Sequence, residues 1–227
     1  MRKRKERCVE MRTIRVTGKG QLKVHPDTTR ITMDLEKVCK DYSDAVEASA
    51  KDTEALKNEL VPFGFDRKEI KTLSFSVDPE YEGYKQNGVY KQKLIGYKYQ
   101  HRLKVEFPSD NKLLGRILFA LGMCRLHPEF RISYTVKEPE KVKNELLALA
   151  VKDAAMKAAV LSGAAGMTLG DIQTMDYSWG RVEFETRCME DKMLSMPCMA
   201  EGSSYDLDIE PDDIDADDTV TVVWEIR

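Results

Sequence analysis

Residues 69–76 read EIKTLSFS and residues 171–178 read DIQTMDYS, so one pattern of apolar and polar side chains returns after a shift of 102 positions. Gly64 and Gly166 are separated by the same shift, and a helical pattern precedes each of them. A repeated unit of this kind is a way of burying apolar faces and need not carry a reaction. The repeat therefore predicts a duplicated architecture more directly than it predicts an activity.

The segments around each copy predict the order strand, helix, strand, strand. In the first half the predicted strands are residues 12–24, 29–40, 70–79 and 95–107, and the helix is residues 43–61. In the second half the predicted strands are residues 130–136, 170–179 and 219–226, and the helix is residues 139–164. Apolar and polar residues alternate in the strands, which is typical of antiparallel sheets with one buried face. We expect an α+β fold of two duplicated strand-helix-strand-strand units, with mainly antiparallel sheets and helices packed on one face.

The predicted elements divide the chain into three parts. Residues 1–11 form a basic N-terminal tail, residues 12–108 form a first half with an N-terminal hairpin and the first repeat, and residues 109–227 form a second half with a linking helix at 111–121 and the second repeat. At this level two arrangements stay open, because the halves could pair edge to edge in one sheet or stack as subdomains.

Several local patterns refine these elements. Gly18 and Gly20 interrupt the first strand and predict a bulge. Asp44 and Glu47 have the spacing of a helix cap pair. The first long helix is predicted to bury a stripe made of Val46, Ala50, Thr53, Leu56 and Leu60. In the second long helix, small residues recur every four positions and would let it sit close to a sheet: Ala150, Ala154 and Ala158.

Composition excludes some classes of function. The 227 residues are 42% hydrophobic, as expected of a chain that buries a core, and the 33% charged residues nearly cancel to a net charge of -3. That balance argues against a nucleic-acid partner. The basic start of the chain lacks the apolar run of a signal peptide, and no stretch approaches the roughly 20 apolar residues of a membrane span. Five cysteines without CxxC spacing indicate reduced thiols, so we expect a cytoplasmic protein.

Tyrosines cluster in a polar segment that is predicted to be a loop at residues 81–88. Tyr81, Tyr84 and the following Tyr90 are candidates for a subunit or partner contact, because tyrosine brings a large apolar body with a polar tip. Met193 and Met196 are further interface candidates in an irregular stretch of the second half. Simple packing of these side chains is the alternative.

Sulfur-bearing side chains are concentrated in residues 188–199. Cys188, Met193, Met196 and Cys198 form an alternative soft-metal or redox-sensing site, since thiolate and thioether ligands suit copper(I). A flexible or interface loop is the favoured interpretation, and no cofactor is expected. The acidic residues in 206–218 lack the order of a calcium-binding EF-hand loop and are read as a solvated face.

No catalytic constellation is found. His25, His101 and His127 stand alone, and the position of His101 on the apolar face of its strand favours a histidine satisfied inside the core. An enzyme with a cleft near His101 and Tyr97 is a rival hypothesis, which would need a perturbed titratable group beside a well-formed pocket. The basic residues on the other face of that strand are read as a solvated surface: Lys98, Arg102 and Lys104.

The order of several short motifs resembles the SIMPL-domain family, also called DUF541. In the first half the motifs are VTGKG at 16–20, PD at 26–27, IKT at 70–72, PEY at 79–81 and IGY at 95–97. In the second half they are AVKDAAMKA at 150–158, AGMTLG at 165–170 and VTVVWEI at 220–226. The resemblance extends over nearly the whole chain from residue 11, and it depends on the order and spacing of the motifs together.

The resemblance implies an assembly or binding role, and it implies no particular reaction. Most members of the family have no assigned activity, bacterial members resemble envelope proteins linked to stress tolerance, some form ring-like homo-oligomers, and a mammalian relative is a signalling adaptor. No catalytic residues carry over to this chain. We therefore expect a non-enzymatic binding or scaffold protein that assembles with itself and has a link to stress response, and a further protein partner is left open. This chain departs from the bacterial pattern by lacking the export signal.

Overall fold

The computed structural model describes residues 12–86, 89–177, 184–187 and 210–227. The strands, in chain order, are β1 (Thr13–Val24), β2 (Thr28–Cys39), β3 (Lys71–Gln86), β4 (Val89–Pro108), β5 (Glu129–Thr135), β6 (Leu169–Tyr177), β7 (Glu185–Arg187) and β8 (Ile214–Ile226). The α-helices are α1 (Tyr42–Leu60), α2 (Asn111–Met123) and α3 (Pro139–Ala164), and a 3₁₀ turn (Val61–Phe63) follows α1. The predicted α+β class is confirmed, because every strand pair is antiparallel and long helices accompany both sheets.

The described residues form two compact units, and each unit collects more than one stretch of chain. One unit contains those within 1–25, 136–184 and 213–227, and the other contains those within 26–135 and 185–212. The first has a three-stranded sheet of order β1-β8-β6, and the second has a five-stranded sheet of order β3-β4-β2-β5-β7. In the part of the chain that the structure describes, none of the helices has the length and apolar character needed to span a bilayer.

The three-stranded unit is built on a very close contact between α3 and β1. The alanine row is buried as predicted, with Ala150, Ala154 and Ala158 fully inaccessible. Gly18 faces this row, and a Cβ placed on it would lie 2.0 Å from the carbonyl oxygen of Ala150. The predicted bulge at Gly18 and Gly20 is wrong, because β1 and β8 stay in uninterrupted register along their whole length. The glycines instead leave room for the backbone of the helix.

The five-stranded unit buries the larger core. Its inward face is supplied by alternate residues of β2 and β4, and α1 and α2 cover that face. The predicted alternation in β4 is confirmed, since Leu103 and Val105 are fully buried while Arg102 and Lys104 lie on the opposite face. Asp110 caps α2 by accepting hydrogen bonds from the backbone N–H groups of Lys112 and Leu113.

The repeat has a structural counterpart in the two units. Gly64 and Gly166 both adopt left-handed backbone conformations, with φ of 95° and 70°, and each follows the long helix of its unit. After each glycine the chain enters an edge strand, which is β3 in one sheet and β6 in the other. Each edge strand pairs with the strand that completes its repeat, β4 or β8. The duplicated segment thus occupies equivalent surroundings in both units.

Two predictions for α1 are wrong in detail. The helix begins at Tyr42 after Asp41, no side chain caps it, and Glu47 forms an ion pair with Lys51. Its buried row is Ala45, Ser49, Thr53, Leu56 and Leu60. Both rows have helical spacing. The prediction favoured the row with Val46 because it is more apolar than the row that carries Ser49. The hydroxyl of Ser49 is needed inside, because it bonds to the imidazole of His101.

The predicted loop at residues 81–88 is also wrong, because most of it belongs to strands. β3 continues to Gln86 and β4 starts at Val89, with paired residues from Tyr81↔Leu94 to Gln86↔Val89. Strand β2 ends at Cys39, which pairs with Tyr97. Among the described residues, the part of β4 before Tyr97 therefore pairs only with β3. We call residues 81–86 and 89–95 the hairpin arm.

Candidate functional site

His101 lies on the inward face of β4 and is surrounded by hydroxyl groups. Its Nδ1 atom is 2.9 Å from Thr53 Oγ1 and 3.2 Å from Ser49 Oγ, both on α1. Its Nε2 atom is 2.9 Å from Thr72 Oγ1 on β3, and the Phe75 ring packs edge-on against the imidazole. Both ring nitrogens thus have partners, which agrees with the predicted histidine satisfied inside the core.

The environment of His101 favours its neutral form. Burial lowers the pKa of His101 below its ordinary value, and the positive charge of Lys57 lowers it further. The hydroxyl groups around it can donate to or accept from a neutral ring. These hydrogen bonds hold α1 and β3 against β4. Because both ring nitrogens are engaged in them, His101 is poorly placed to act as a general base.

A pH experiment tests this interpretation. Because its pKa is lower in the folded protein, His101 binds fewer protons than in the unfolded chain between the two pKa values. The stabilisation that comes from a neutral His101 should therefore be complete above the unfolded pKa of about 6.5. The free energy of unfolding should decrease as the pH falls below that value. Urea unfolding at several pH values should show less of this decrease in His101→Gln than in the wild type. In the control His127→Asn, an exposed histidine with positive φ, the decrease should stay as in the wild type. An unchanged pH profile in His101→Gln contradicts the assignment.

Tyr99 is the second buried polar group on β4. Its hydroxyl donates a hydrogen bond of 2.5 Å to Asp52 Oδ2 on α1. Burial raises the pKa of Tyr99 above its usual value, and the bond to Asp52 raises it further. The hydroxyl thus stays protonated and ties α1 to the sheet. The adjacent surface depression of about 310 Å³ is wide open and lined by Lys37, Cys39, Asp44, Glu47, Ala48, Lys51 and Asp52.

The outward face of β2 and β4 carries paired charges. Arg102 Nε is 2.6 Å from Asp34 Oδ1, and Lys98 Nζ is 2.7 Å from Glu36 Oε2. Glu106 accepts from both Arg30 and Lys104 at 2.7 and 2.8 Å. Burial by itself would raise the pKa of Glu106, but these two hydrogen bonds outweigh it and lower the pKa. Each basic residue of this face therefore has a carboxylate beside it, which agrees with a solvated surface more than with an anion-binding site.

The hairpin arm brings the three predicted tyrosines together on a two-stranded ribbon. Directly paired residues share a face, so Tyr81 and Tyr90 lie on one face with Leu94, and Tyr84 lies on the other with Val89. All five side chains are exposed, and Tyr90 is 80% exposed. The register shift at Glu80 and Tyr81 leaves Ile95 as an extra residue at the base of the arm, and this side chain is exposed as well.

The sequence contains a signal for this arm that the loop interpretation passed over. Asn87-Gly88 stands between the two runs that pair in the arm, and Asn-Gly is the strongest short sequence signal for a two-residue hairpin connection. Reading it would have predicted two strands and the alternation of the tyrosines between two faces.

The start of β8 presents carboxylates to solvent. Asp215 and Asp217 are exposed and alternate with the buried Ile214 and Ala216, as expected of a solvated face. Asp213 Oδ1 lies 3.2 Å from Nδ1 of His25. Within the described ranges, no group of three or more histidine, cysteine, aspartate or glutamate side chains is placed to hold a metal ion.

Some predicted site residues lie outside the described residues. These are Cys188, Met193, Met196 and Cys198, together with residues 206–209 of the acidic stretch. The soft-metal and redox alternative and the contact role of the two methionines stay predictions.

Comparison with known proteins gives a family and a relative. Residues 14–224 match the model of the SIMPL family, described as a protein of unknown function (DUF541). The chain is 26% identical over 212 residues to a protein of Edwardsiella ictaluri (strain 93-146) named uncharacterized protein YggE. That similarity covers 92% of this chain and 85% of the relative.

Proposed function

We propose that this chain, which belongs to the SIMPL family of proteins of unknown function, is a self-assembling binding or scaffold protein that associates through its hairpin arm. The single observation behind the proposal is the exposed apolar surface of the arm. Six large apolar side chains lie within its fifteen-residue span in contact with water: Tyr81, Tyr84, Val89, Tyr90, Leu94 and Ile95.

The geometry of the arm explains why it needs a partner. A ribbon of two strands has two faces and no layer of its own to cover either one, and an isolated hairpin is marginally stable in water. Contiguous exposed apolar surface on a folded protein marks a contact site. A second copy of the chain is the partner that is always available at a matching concentration. Association would cover the arm and would also stabilise its strand pairing.

The proposal treats the protein as non-enzymatic. Its support is that His101 and Tyr99, the polar side chains of β4 that face α1, are held in hydrogen bonds between α1 and the sheet. Groups used in this way contribute to the core of the unit.

The test is to remove the tyrosines and measure the mass of the assembly. We expect the wild type to form oligomers in sedimentation velocity experiments, and we expect Tyr81→Ser/Tyr84→Ser/Tyr90→Ser to shift strongly towards monomer. Loss of three aromatic contacts should weaken association by about a hundredfold or more, which corresponds to about 2.7 kcal/mol, since tyrosine is enriched among the interface residues whose truncation costs at least about 2 kcal/mol.

A matched control separates the arm from exposed apolar surface in general. Met156, Val160 and Leu161 on α3 are also exposed, so Met156→Ser/Val160→Ser/Leu161→Ser should leave the assembly unchanged. Circular dichroism and urea unfolding check that all variants are folded. A wild type that stays monomeric at high concentration, or a triple tyrosine variant that assembles normally, refutes the proposal.

A further inference from the structure

We propose that two copies of the chain associate by packing the same face of their hairpin arms against each other. The inference rests on the assembly proposed above, and it names the face that associates and the surface that it meets. We call this face the tyrosine face. It consists of three rows of directly paired residues: Tyr81 with Leu94, Gly83 with Gln92, and Lys85 with Tyr90.

The two faces of the arm differ in charge. The opposite face, which we call the lysine face, carries Glu82, Lys91 and Lys93. Among the described residues of the arm, Lys85 is the sole charged side chain on the tyrosine face, and its Nζ lies 5.5 Å from the centre of the Tyr90 ring. Two lysine faces would bring four lysines together, whereas two tyrosine faces bring only two, and like charges in contact are unfavourable. The tyrosine face is therefore better suited to a second copy.

The tyrosine face continues the inward face of the five-stranded sheet, which limits how two arms can meet. Tyr81 lies two residues after Pro79 in β3, and Pro79 pairs with Tyr97, which packs against the core. Tyr42 at the start of α1 packs edge-on against the Tyr97 ring, with 5.7 Å between the ring centres. Helix α1 thus lies beside the base of the arm, and a parallel approach of two arms would bring the two helices into collision. In an antiparallel approach the tip of each arm reaches the base of the other.

Two antiparallel tyrosine faces are complementary in every row. The two-fold axis passes through the middle row, so Gln92 meets Gln92 of the second copy. The base row of one arm then faces the tip row of the other. Leu94 covers the ring of Tyr90, and the ammonium group of Lys85 reaches the ring of Tyr81, which are both favourable contacts for an aromatic side chain.

The exposed area of this face is typical of a weak contact. Tyr42, Tyr81 and Tyr90 are 55, 52 and 80% exposed, and Leu94 is 45% exposed. At about 150–250 Å² for an aromatic side chain, these four side chains expose roughly 400 Å² in each copy. Two copies would bury roughly 800 Å² through them alone, which is near the low end for transient complexes. We expect a dimer that dissociates on dilution, because a contact between identical surfaces closes at two copies.

Truncating one face at a time tests which face associates. Tyr81→Ser/Tyr90→Ser removes the rings of the tyrosine face, and Tyr84→Ser/Val89→Ser removes the large apolar side chains of the lysine face. Sedimentation velocity over a range of concentrations measures the dimer. The first variant should dimerise about a hundredfold more weakly than the wild type or worse, since each lost ring counts twice in a symmetric contact. The second variant should dimerise within about threefold of the wild type.

Opposite charges at the two-fold axis test the symmetry of the contact. Gln92→Lys and Gln92→Glu each place like charges opposite each other, so each variant alone should dimerise at least about tenfold more weakly than the wild type. An equimolar mixture should associate again, and native mass spectrometry should find mixed dimers well above the statistical half. Gln173→Lys and Gln173→Glu are the matched control, because Gln173 is an exposed strand residue of the other unit. These variants should dimerise like the wild type, alone or mixed.

The possible outcomes separate this contact from assembly through the arm in general. Urea unfolding and circular dichroism verify that each variant is folded. If the triple tyrosine variant is monomeric but truncation of either face weakens association equally, the contact between tyrosine faces is wrong while assembly through the arm stands. The same conclusion follows if the Gln92 mixture shows no preference for mixed dimers. A wild type that stays monomeric removes both proposals.

Discussion

Replacing Gly18 by alanine should destabilise the three-stranded unit by about 3 kcal/mol, the upper part of the range for forcing a methyl group into a packed interior. The added Cβ would lie 2.0 Å from Ala150 O and 2.4 Å from Ala154 N. Both atoms belong to the backbone of α3, so no change of rotamer can relieve the overlap. The helix must move away from the sheet, and contacts along the whole alanine row are weakened.

Gly83→Ala is the matched control for this substitution. Gly83 also lies in a strand, but nothing lies within 4 Å of a Cβ built on it. Alanine there restricts the unfolded chain and should stabilise by about 0.4–1 kcal/mol. Urea unfolding measures both variants, and hydrogen exchange should place the loss in Gly18→Ala within β1, β8 and α3. Equal stabilities of the two variants would contradict the close approach of α3 to β1.

Truncation of Leu103 to alanine should lower the free energy of unfolding of the five-stranded unit by about 2–5 kcal/mol, the usual range for a fully buried leucine. Leu103 has no exposed surface and lies opposite Met33 of β2, which is equally buried. The substitution removes apolar contacts and leaves a cavity under α1 and α2, because close-packed surroundings collapse only in part.

The same strand provides the control for this variant. Leu94 lies in β4 within the arm and is 45% exposed, so Leu94→Ala should change the free energy of unfolding by less than about 0.5 kcal/mol in the monomer. The comparison is made by urea unfolding at a concentration low enough to keep the protein monomeric. A loss in Leu94→Ala as large as that in Leu103→Ala would mean that the arm is packed within the monomer, against the assembly proposal.

Local patterns predicted the parts of the fold whose causes are local. The bounds of α3 follow from Pro139 at its first turn and from Gly163 and Gly166 around its end, and its buried alanine row follows from the four-residue spacing. The alternation in β4 gave the buried face correctly, because a strand has only two faces and one of them is strongly apolar.

The wrong predictions came from sequence patterns that have two physical explanations. Gly18 and Gly20 fit a bulge or a close contact, and only the position of α3 over them selects the contact. In α1, the row with Ser49 is less apolar than the row with Val46, and only the position of His101 beneath the helix explains why the Ser49 row is buried. The candidate surface was partly predictable: Tyr81, Tyr84 and Tyr90 were identified, but their support on an arm of two strands was not.

The duplication, the α+β class and the buried face of the main strands follow from the sequence alone, since these depend on periods of a few residues along one segment. The pairing of β1 with β8 and of β5 with β2 could not be predicted and is known only from the folded chain. Strand pairing is made by backbone hydrogen bonds that every residue except proline can form, so partners are selected by side chains that meet across long sequence separations. The end of β2 at Cys39 also depends on such contacts. It leaves the arm with two strands and exposes its tyrosines.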